Sequence, residues 1–216
     1  MTGWIKKSFA AEGVTEWKPG HNLELLEKRF GNSGAVVLML DVSGSMRMKS
    51  AGRTNLERAV SGCERFIEEA IAGDYDVGLI LWNQAVAAQV SPTGDGRAAR
   101  KLLSRASGYT GGNDVVPGLE LAESMLFDLD VKDRVIAVFG DGDLGPHAAH
   151  ARTLSGRVGS RGIRILTLGL GDTSAAEMAG IETENASGSP HAATTETLSD
   201  DIHGLARRMT ARRSRR

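Results

Sequence analysis

The sequence predicts an α/β fold: a mainly parallel, doubly wound, six-stranded sheet of the Rossmann-like type, with helices on both faces. Apolar runs alternate with stretches of helical periodicity along most of the 216 residues, and this alternation is typical of parallel sheets with right-handed crossovers. The run 35–40 contains no polar residue, which predicts a strand buried on both faces. A short strand at 85–90 follows its predecessor after only two residues, which predicts one antiparallel edge strand.

The other elements follow in chain order. Strands are predicted at 76–82, 135–139 and 163–168, with weak strand character at 191–194; helices are predicted at 54–72, 97–104, 114–127, from about 146, shortly after 172, and at 198–209. The helix at 54–72 carries an apolar stripe and stops at Gly73. Asp114 is the predicted N-cap of its helix, since Asp is a preferred residue there. Pro117 is compatible with this prediction, because proline is tolerated in the first turn of a helix.

The composition predicts one domain with two appendages. Hydrophobic residues make up 41% and charged residues 25% of the chain, which is enough apolar material for a sizeable core. Residues 1–33 are predicted to be an N-terminal docking extension, in which Leu23, Leu26 and Phe30 share a helical face. Residues 34–206 form the predicted domain, and 207–216 a basic C-terminal tail.

The net charge and the hydropathy of the chain limit which binding partners and which cellular location we expect. The formal net charge of -1 gives no general attraction to nucleic acid, so only the tail, with six arginines, is a candidate for such contacts. Cys63 is the single cysteine, which excludes an internal disulfide. No apolar run approaches the length of a membrane span. We therefore expect a cytoplasmic protein without membrane contact.

Three loops at predicted strand ends are rich in oxygen donors. They contain Asp41, Ser43 and Ser45 in the first loop, Thr110, Asn113 and Asp114 in the second, and Asp141 and Asp143 in the third. Such loops can meet at one edge of a parallel sheet. Carboxylate, hydroxyl and amide oxygens without Cys or His suit Mg²⁺ or Mn²⁺ rather than zinc or copper. The sequence therefore predicts a site for a hard divalent cation.

The third loop also matches a dinucleotide-binding pattern, Gly140-x-Gly142-x-x-Gly145, between a strand and a helix. In that interpretation Asp141 and Asp143 would place two carboxylates against a negatively charged pyrophosphate, which they would repel. In addition, no acidic residue stands about 20 positions downstream, where a contact with the ribose is expected. The pattern therefore does not predict a nucleotide site.

The three loops together resemble the von Willebrand factor type A domain and its metal-ion-dependent adhesion site. The segment 41–45 matches the family's Asp-x-Ser-x-Ser, 111–114 resembles its Gly-Gly-Thr-Asp loop, and 138–142 resembles its apolar strand followed by Asp-Gly. The resemblance covers roughly 31–206 and implies the type A fold. Asn113 stands where the family has threonine, and Thr110 is the other candidate ligand from this loop.

The resemblance also implies which residues bind the metal and what the site does. Ser43 and Ser45 would ligate Mg²⁺ or Mn²⁺ through their hydroxyls, and Asp41 and Asp141 would supply negative charge. The implied function is a non-enzymatic protein-binding module that takes an Asp or Glu carboxylate of a partner. It would act as an intracellular assembly or regulatory subunit, with an ATPase-containing assembly as a candidate partner.

The alternative function is a metal-dependent hydrolase or another enzyme that uses the same cation. His147 and His150, on the helix after the third loop, are the nearest candidate bases in sequence. We interpret them as ordinary helix residues, because two histidines without a third ligand make a poor metal site. The sequence therefore favours binding over catalysis.

Overall fold

The central strand of the sheet ends at the first candidate metal loop. The computed structural model describes residues 34–142, 144–183 and 191–213. The predicted extension 1–33, with its helical face, and Asp143 lie outside these residues. The strands are β1 (Gly34–Asp41), β2 (Lys49–Ser50), β3 (Arg53–Thr54), β4 (Tyr75–Trp82), β5 (Val86–Thr93), β6 (Asp133–Gly140), β7 (Ile163–Leu170) and β8 (Ala192–Ala193). The helices are α1 (Asn55–Ala72), α2 (Arg97–Leu103), α3 (Val116–Phe127), α4 (Ala148–Ser160), α5 (Asp172–Ala179) and α6 (Leu198–Arg213).

Six strands form the main sheet in the order β5-β4-β1-β6-β7-β8. Strand β5 is antiparallel to β4, and every other pairing is parallel. The predicted fold class is therefore confirmed, including the antiparallel edge strand. The chain adds β4 on one side of β1 and β6 on the other, so the strand order reverses at β1. In open α/β sheets, ligands bind beyond the carboxyl ends of the strands at such a reversal.

Two apolar layers cover the two faces of the sheet. Every residue of β1 is buried. Because strand side chains alternate between faces, Leu38 and Leu40 pack in one layer beneath α1 and α6, while Val37 and Met39 pack in the other beneath α3 and α4. None of the helices in the described part of the chain has both the length and the apolar character that a membrane span requires.

Helix α1 begins at a capping box. The Thr54 hydroxyl accepts the backbone N–H of Glu57 at 3.1 Å, and the Glu57 carboxylate accepts the backbone N–H of Thr54 at 2.7 Å. Two of the unpaired N–H groups at the helix start are thereby satisfied. The chain therefore turns sharply from the small β2–β3 hairpin into the helix that packs behind the first candidate metal loop.

Two helix boundaries differ from the sequence prediction. Helix α3 begins at Val116 rather than Asp114, because the Asp114 carboxylate accepts the backbone N–H of Val116 at 3.1 Å and holds the preceding loop non-helical. Helix α6 continues to Arg213, beyond the expected end at 209. The first residues of the predicted basic tail are therefore helical.

An ion pair joins neighbouring strands at the end of the sheet opposite the candidate site. The Arg164 guanidinium donates to both carboxylate oxygens of Asp133, at 2.8 and 2.5 Å, and the Tyr75 hydroxyl also donates to this carboxylate. A side chain at Gly34 would collide with the Tyr75 ring. These contacts connect the amino-terminal ends of β4, β6 and β7.

We expect Arg164→Met to lower the free energy of unfolding by about 2–4 kcal/mol, because it removes the Arg164 guanidinium from the mostly buried Asp133 carboxylate. Urea unfolding followed by circular dichroism measures this change. Arg152→Met is the matched control, because the Arg152–Glu177 pair is about half exposed and should contribute below about 1 kcal/mol. Equal losses in both variants would contradict the assignment.

Candidate functional site

The Asp41 carboxylate lies at the end of the central strand and is fully buried. One of its oxygens, Oδ1, accepts the backbone N–H of Ser43 at 2.7 Å. The other oxygen, Oδ2, is buried without a hydrogen-bond partner. A side chain at Gly140, at the end of the adjacent strand, would lie 3.1 Å from Oδ2, so the absence of a side chain there leaves room for the carboxylate.

The two serines of the first loop point toward each other. The Ser43 and Ser45 hydroxyl oxygens lie 3.0 Å apart, close enough for a hydrogen bond. Ser43 is buried, whereas Ser45 is exposed to solvent. The first loop therefore presents two hydroxyls in a row that runs from beside the Asp41 carboxylate to the protein surface.

Backbone and amide hydrogen bonds hold the second loop against the first. The Gly44 N–H donates to the Gly111 carbonyl at 3.0 Å. The Asn83 side chain donates to the Thr110 carbonyl at 3.0 Å, and the Asn83 carbonyl accepts the Asp114 N–H at 2.8 Å. Asn83 thus fixes both ends of the segment that contains the two candidate ligands.

The two candidate ligands of the second loop have different surroundings. Asn113 is half-buried, and its side-chain oxygen Oδ1 is buried without a hydrogen-bond partner. Thr110 is exposed. A side chain at Gly44 would bring its first carbon within 3.9 Å of the Thr110 hydroxyl, so that hydroxyl also lies beside the first loop.

The third loop contacts the second loop and α5. The Val115 N–H donates to the Leu144 carbonyl at 3.2 Å, and His147 Nδ1 lies 2.7 Å from the Asp114 carboxylate. The Ser174 hydroxyl donates to the Asp141 carbonyl. Asp141 itself is half-buried. The three predicted loops are therefore brought together in one region.

Burial raises the pKa of Asp41 to about 7. Removal from water is the largest cause, and the negative charge of Asp141 raises the pKa further, whereas hydrogen bonds from Ser43 and from the Asp141 backbone oppose the shift. Because the charge of Asp141 acts on Asp41, the two carboxylates belong to one electrostatic site. A cation beside Asp41 would favour its ionised form.

The donor set fits a hard divalent cation better than a soft one. Two buried side-chain oxygens, Asp41 Oδ2 and Asn113 Oδ1, lack hydrogen-bond partners, and two hydroxyls lie alongside. Buried polar atoms without partners are uncommon in proteins and call for a specific explanation. Among the described residues no three His, Cys, Asp or Glu side chains cluster as a metal site, so hydroxyl and amide oxygens would have to complete a ligand set.

Some positioning residues were missed by the sequence analysis. Asn83 lies in the two-residue connection before the predicted edge strand, and neither it nor Gly140 is a candidate site residue in the sequence. Ser174 is a buried residue in the first turns of α5, more than 30 positions after the loop that it contacts. Of these residues, only Asn83 could have been identified from the sequence, because it stands directly after a buried strand that ends at the same sheet edge.

Comparisons with known proteins agree with this fold. A family model described as the von Willebrand factor type A domain matches residues 36–143. No curated protein matches the chain.

Three solved structures illustrate the similarity of fold. Pilus adhesin SpaC from Lactobacillus rhamnosus GG has a TM-score of 0.67 at 14% identity over 84% of this chain, which spans only 31% of SpaC. The vWF domain of the type V pili tip protein Mfa5 from Porphyromonas gingivalis has a TM-score of 0.67 at 12% identity, over 83% of this chain and 96% of that one. BatB from Bacteroides thetaiotaomicron, a conserved hypothetical protein, has a TM-score of 0.60 at 18% identity, over 80% and 98%.

At these identities the structures show a common fold alone. The family model covers half of the chain, and its matched region includes all three candidate loops. The chain belongs to the von Willebrand factor type A domain family.

Proposed function

We propose that this domain binds a protein partner through a Mg²⁺ ion, or Mn²⁺ in its place, held at the edge of the sheet. The observation that carries the proposal is the buried Asp41 oxygen without a hydrogen-bond partner, beside two hydroxyls at the point where the strand order reverses. Domains of this family are commonly protein-interaction modules. Asp41, Ser43, Ser45, Asn113 and Asp141 would hold the cation, with Thr110 as the alternative to Asn113.

The chemistry of these residues favours binding of an acidic group. When bound, the cation would offer a coordination position to an Asp or Glu carboxylate of the partner. The serine hydroxyls and the Asn113 amide are neutral, so Asp41 and Asp141 alone oppose the positive charge. Ser45 is exposed and marks the side from which a partner can approach.

His147, the histidine that contacts the metal loops, has its Nδ1 against the Asp114 carboxylate, and this contact helps to orient the second loop. An acid that holds one ring nitrogen also orients general bases in enzymes, so the contact is compatible with either function. The preference for binding rests on the family, whose domains are commonly protein-interaction modules. The enzyme alternative predicts turnover, which the partner-capture experiment below measures.

The cytoplasmic location and the ATPase-containing assembly remain predictions from the sequence. The same holds for contacts of the arginine-rich tail with nucleic acid. Identification of captured proteins by mass spectrometry tests the ATPase-containing assembly, cell fractionation tests the location, and recovery of nucleic acid with the chain tests the tail.

In chelator, Asp41→Asn should be more stable than the wild type above about pH 7. The unfolded carboxyl ionises near 3.8 and the folded one near 7, so the wild type loses stability as pH rises between these values. The loss reaches roughly 4 kcal/mol at most, and the asparagine variant avoids it. Urea unfolding across this pH range measures the difference.

Excess Mg²⁺ should reverse the order above about pH 7, because the cation stabilises only a chain that retains the carboxylate. Asp172→Asn is the control, since Asp172 is exposed in the first turn of α5. A wild type that is as stable as Asp41→Asn in chelator at every pH would contradict the buried-charge argument.

Calorimetry should distinguish the two candidate ligands of the second loop. Asn113→Ala is expected to weaken Mg²⁺ binding at least about tenfold, as loss of one ligand from a small set should. Thr110→Val should leave the affinity within about twofold, because only Asn113 of the two has a buried side-chain oxygen without a hydrogen-bond partner in the described chain. The opposite ranking would assign the ligand to Thr110, and Asp41→Ala provides the reference for loss of the site.

Partner capture by the full chain should require both Mg²⁺ and Asp41. We expect proteins retained from a lysate of the source organism in Mg²⁺ to be released by chelator and to be lost with Asp41→Ala. Asp172→Ala should retain them, because this exposed acid lies at the same sheet edge outside the site.

Two outcomes would contradict the proposed function. One is equal partner retention in Mg²⁺ and in chelator. The other is metal-dependent turnover of a panel of phosphate and carboxylic esters that Asp41→Ala abolishes, which would favour the hydrolase alternative.

A further inference from the structure

A groove of about 660 Å³ begins beside the first metal loop. Its walls are the small β2–β3 hairpin, the first turns of α1 and the end of α2. Arg47, which lines it, follows the exposed candidate ligand Ser45 by two residues. The groove and the candidate metal site therefore share one stretch of surface.

Positive charge dominates the end of the groove near the metal loop. Arg47, Lys49 and Arg53 line it, and all three are exposed. The Arg47 guanidinium donates to the Ser107 and Tyr109 carbonyls, at 2.8 Å each. These carbonyls fix the position of the guanidinium, and because they are neutral they leave its positive charge uncompensated.

One acid lies among these cations. The Glu57 carboxylate also lines the groove; it accepts the backbone N–H of Thr54 in the capping box, and its charge interacts with Arg53 and Lys49. Three cationic side chains and one carboxylate therefore leave a net positive charge at this end of the groove.

The middle and far parts of the groove have a different chemistry. Val60 is the partly exposed apolar residue of the lining, whereas Leu56 and Leu103 are buried in the core. Glu64 lies farther along α1, about 12 Å from Leu56 at the rise of an α-helix. The groove is therefore mainly cationic near the hairpin and has an acid at its far end.

An exposed methionine lies between the metal loop and the hairpin. Met48 is 68% exposed, the largest value among the exposed large hydrophobic residues of the described chain. Methionine adapts to irregular surfaces and is common where proteins bind extended segments. It would contact a segment that passes from the metal site into the groove.

We propose that this groove receives an extended acidic segment of the protein partner, continuous with the carboxylate that the metal binds. Further acids of the segment would face Lys49 and Arg53, and an apolar residue would lie against Val60. The proposal rests on the proposed function, since it assumes that one segment of the partner contacts both the metal site and the groove, which together form a shared footprint. Charge complementarity at the groove would select partners with several acids over partners with one.

The test uses a random peptide library displayed on phage, selected on the full chain in Mg²⁺. We expect the selected peptides to contain at least two acidic residues near an apolar residue. A fluorescent copy of a selected peptide then reports affinity by anisotropy. The double variant Lys49→Glu/Arg53→Glu should weaken binding at least about tenfold, and more strongly at low salt, because repulsion replaces attraction.

The matched control is Lys132→Glu/Arg208→Glu, which makes the same change in net charge at exposed positions outside the groove lining. It should change affinity less than about twofold. The milder variant Lys49→Gln/Arg53→Gln should give an intermediate loss. It serves as the test if the double reversal fails to fold in urea unfolding.

The outcomes separate the two proposals. Mg²⁺-dependent binding that neither groove variant weakens would overturn the groove and leave the metal site standing. Binding that persists in chelator would overturn the metal-dependent function and, with it, the shared footprint. Selection of no peptide above the level found in chelator would overturn the groove as a peptide site.

Discussion

The burial of one carboxylate at the end of the central strand constrains the candidate site. Asp41 lies between two neighbouring strands and is shielded from water on all sides. Transfer of a charge into a protein interior costs several kcal/mol unless charge or hydrogen bonds compensate it. Only one Asp41 oxygen accepts a hydrogen bond within the described chain, and Asp141 adds repulsion. Without a compensating charge this arrangement is unfavourable, and this is the physical basis of the proposal that a cation binds beside both acids.

The rest of the fold keeps that arrangement in place. Backbone hydrogen bonds between the first and second loops, and between the second and third, make the three loops one unit. Asn83 uses both its side chain and its backbone for this purpose. At the opposite sheet end, the Asp133–Arg164 pair connects β6 to β7. The site is thus positioned by main-chain and amide contacts, which leave the serine hydroxyls available for a ligand.

The sequence predicts the site residues that follow directly from the ends of strands. It does not predict the residues whose role depends on contacts between distant parts of the chain. Buried apolar runs located β1 and β6, and therefore placed Asp41 and Asp141 at one edge of the sheet. Ser174 and the Asn83 bridge could not be predicted, because each depends on chain segments that meet only after folding. The start of α3 was placed two residues early because Asp114 uses its side chain to cap from inside the loop.

The chain has a net charge of -1, yet its candidate binding surface has local positive charge. Lys49 and Arg53 line the groove that begins beside the candidate metal loop. An acidic protein can therefore still associate with this chain, because the local field rather than the net charge acts on an approaching segment. A single carboxylate bound to a metal would give little selectivity, since most protein surfaces offer Asp or Glu. Under the proposed function, selectivity would come from residues around the metal, and the cationic groove is the part of this surface with the matching charge.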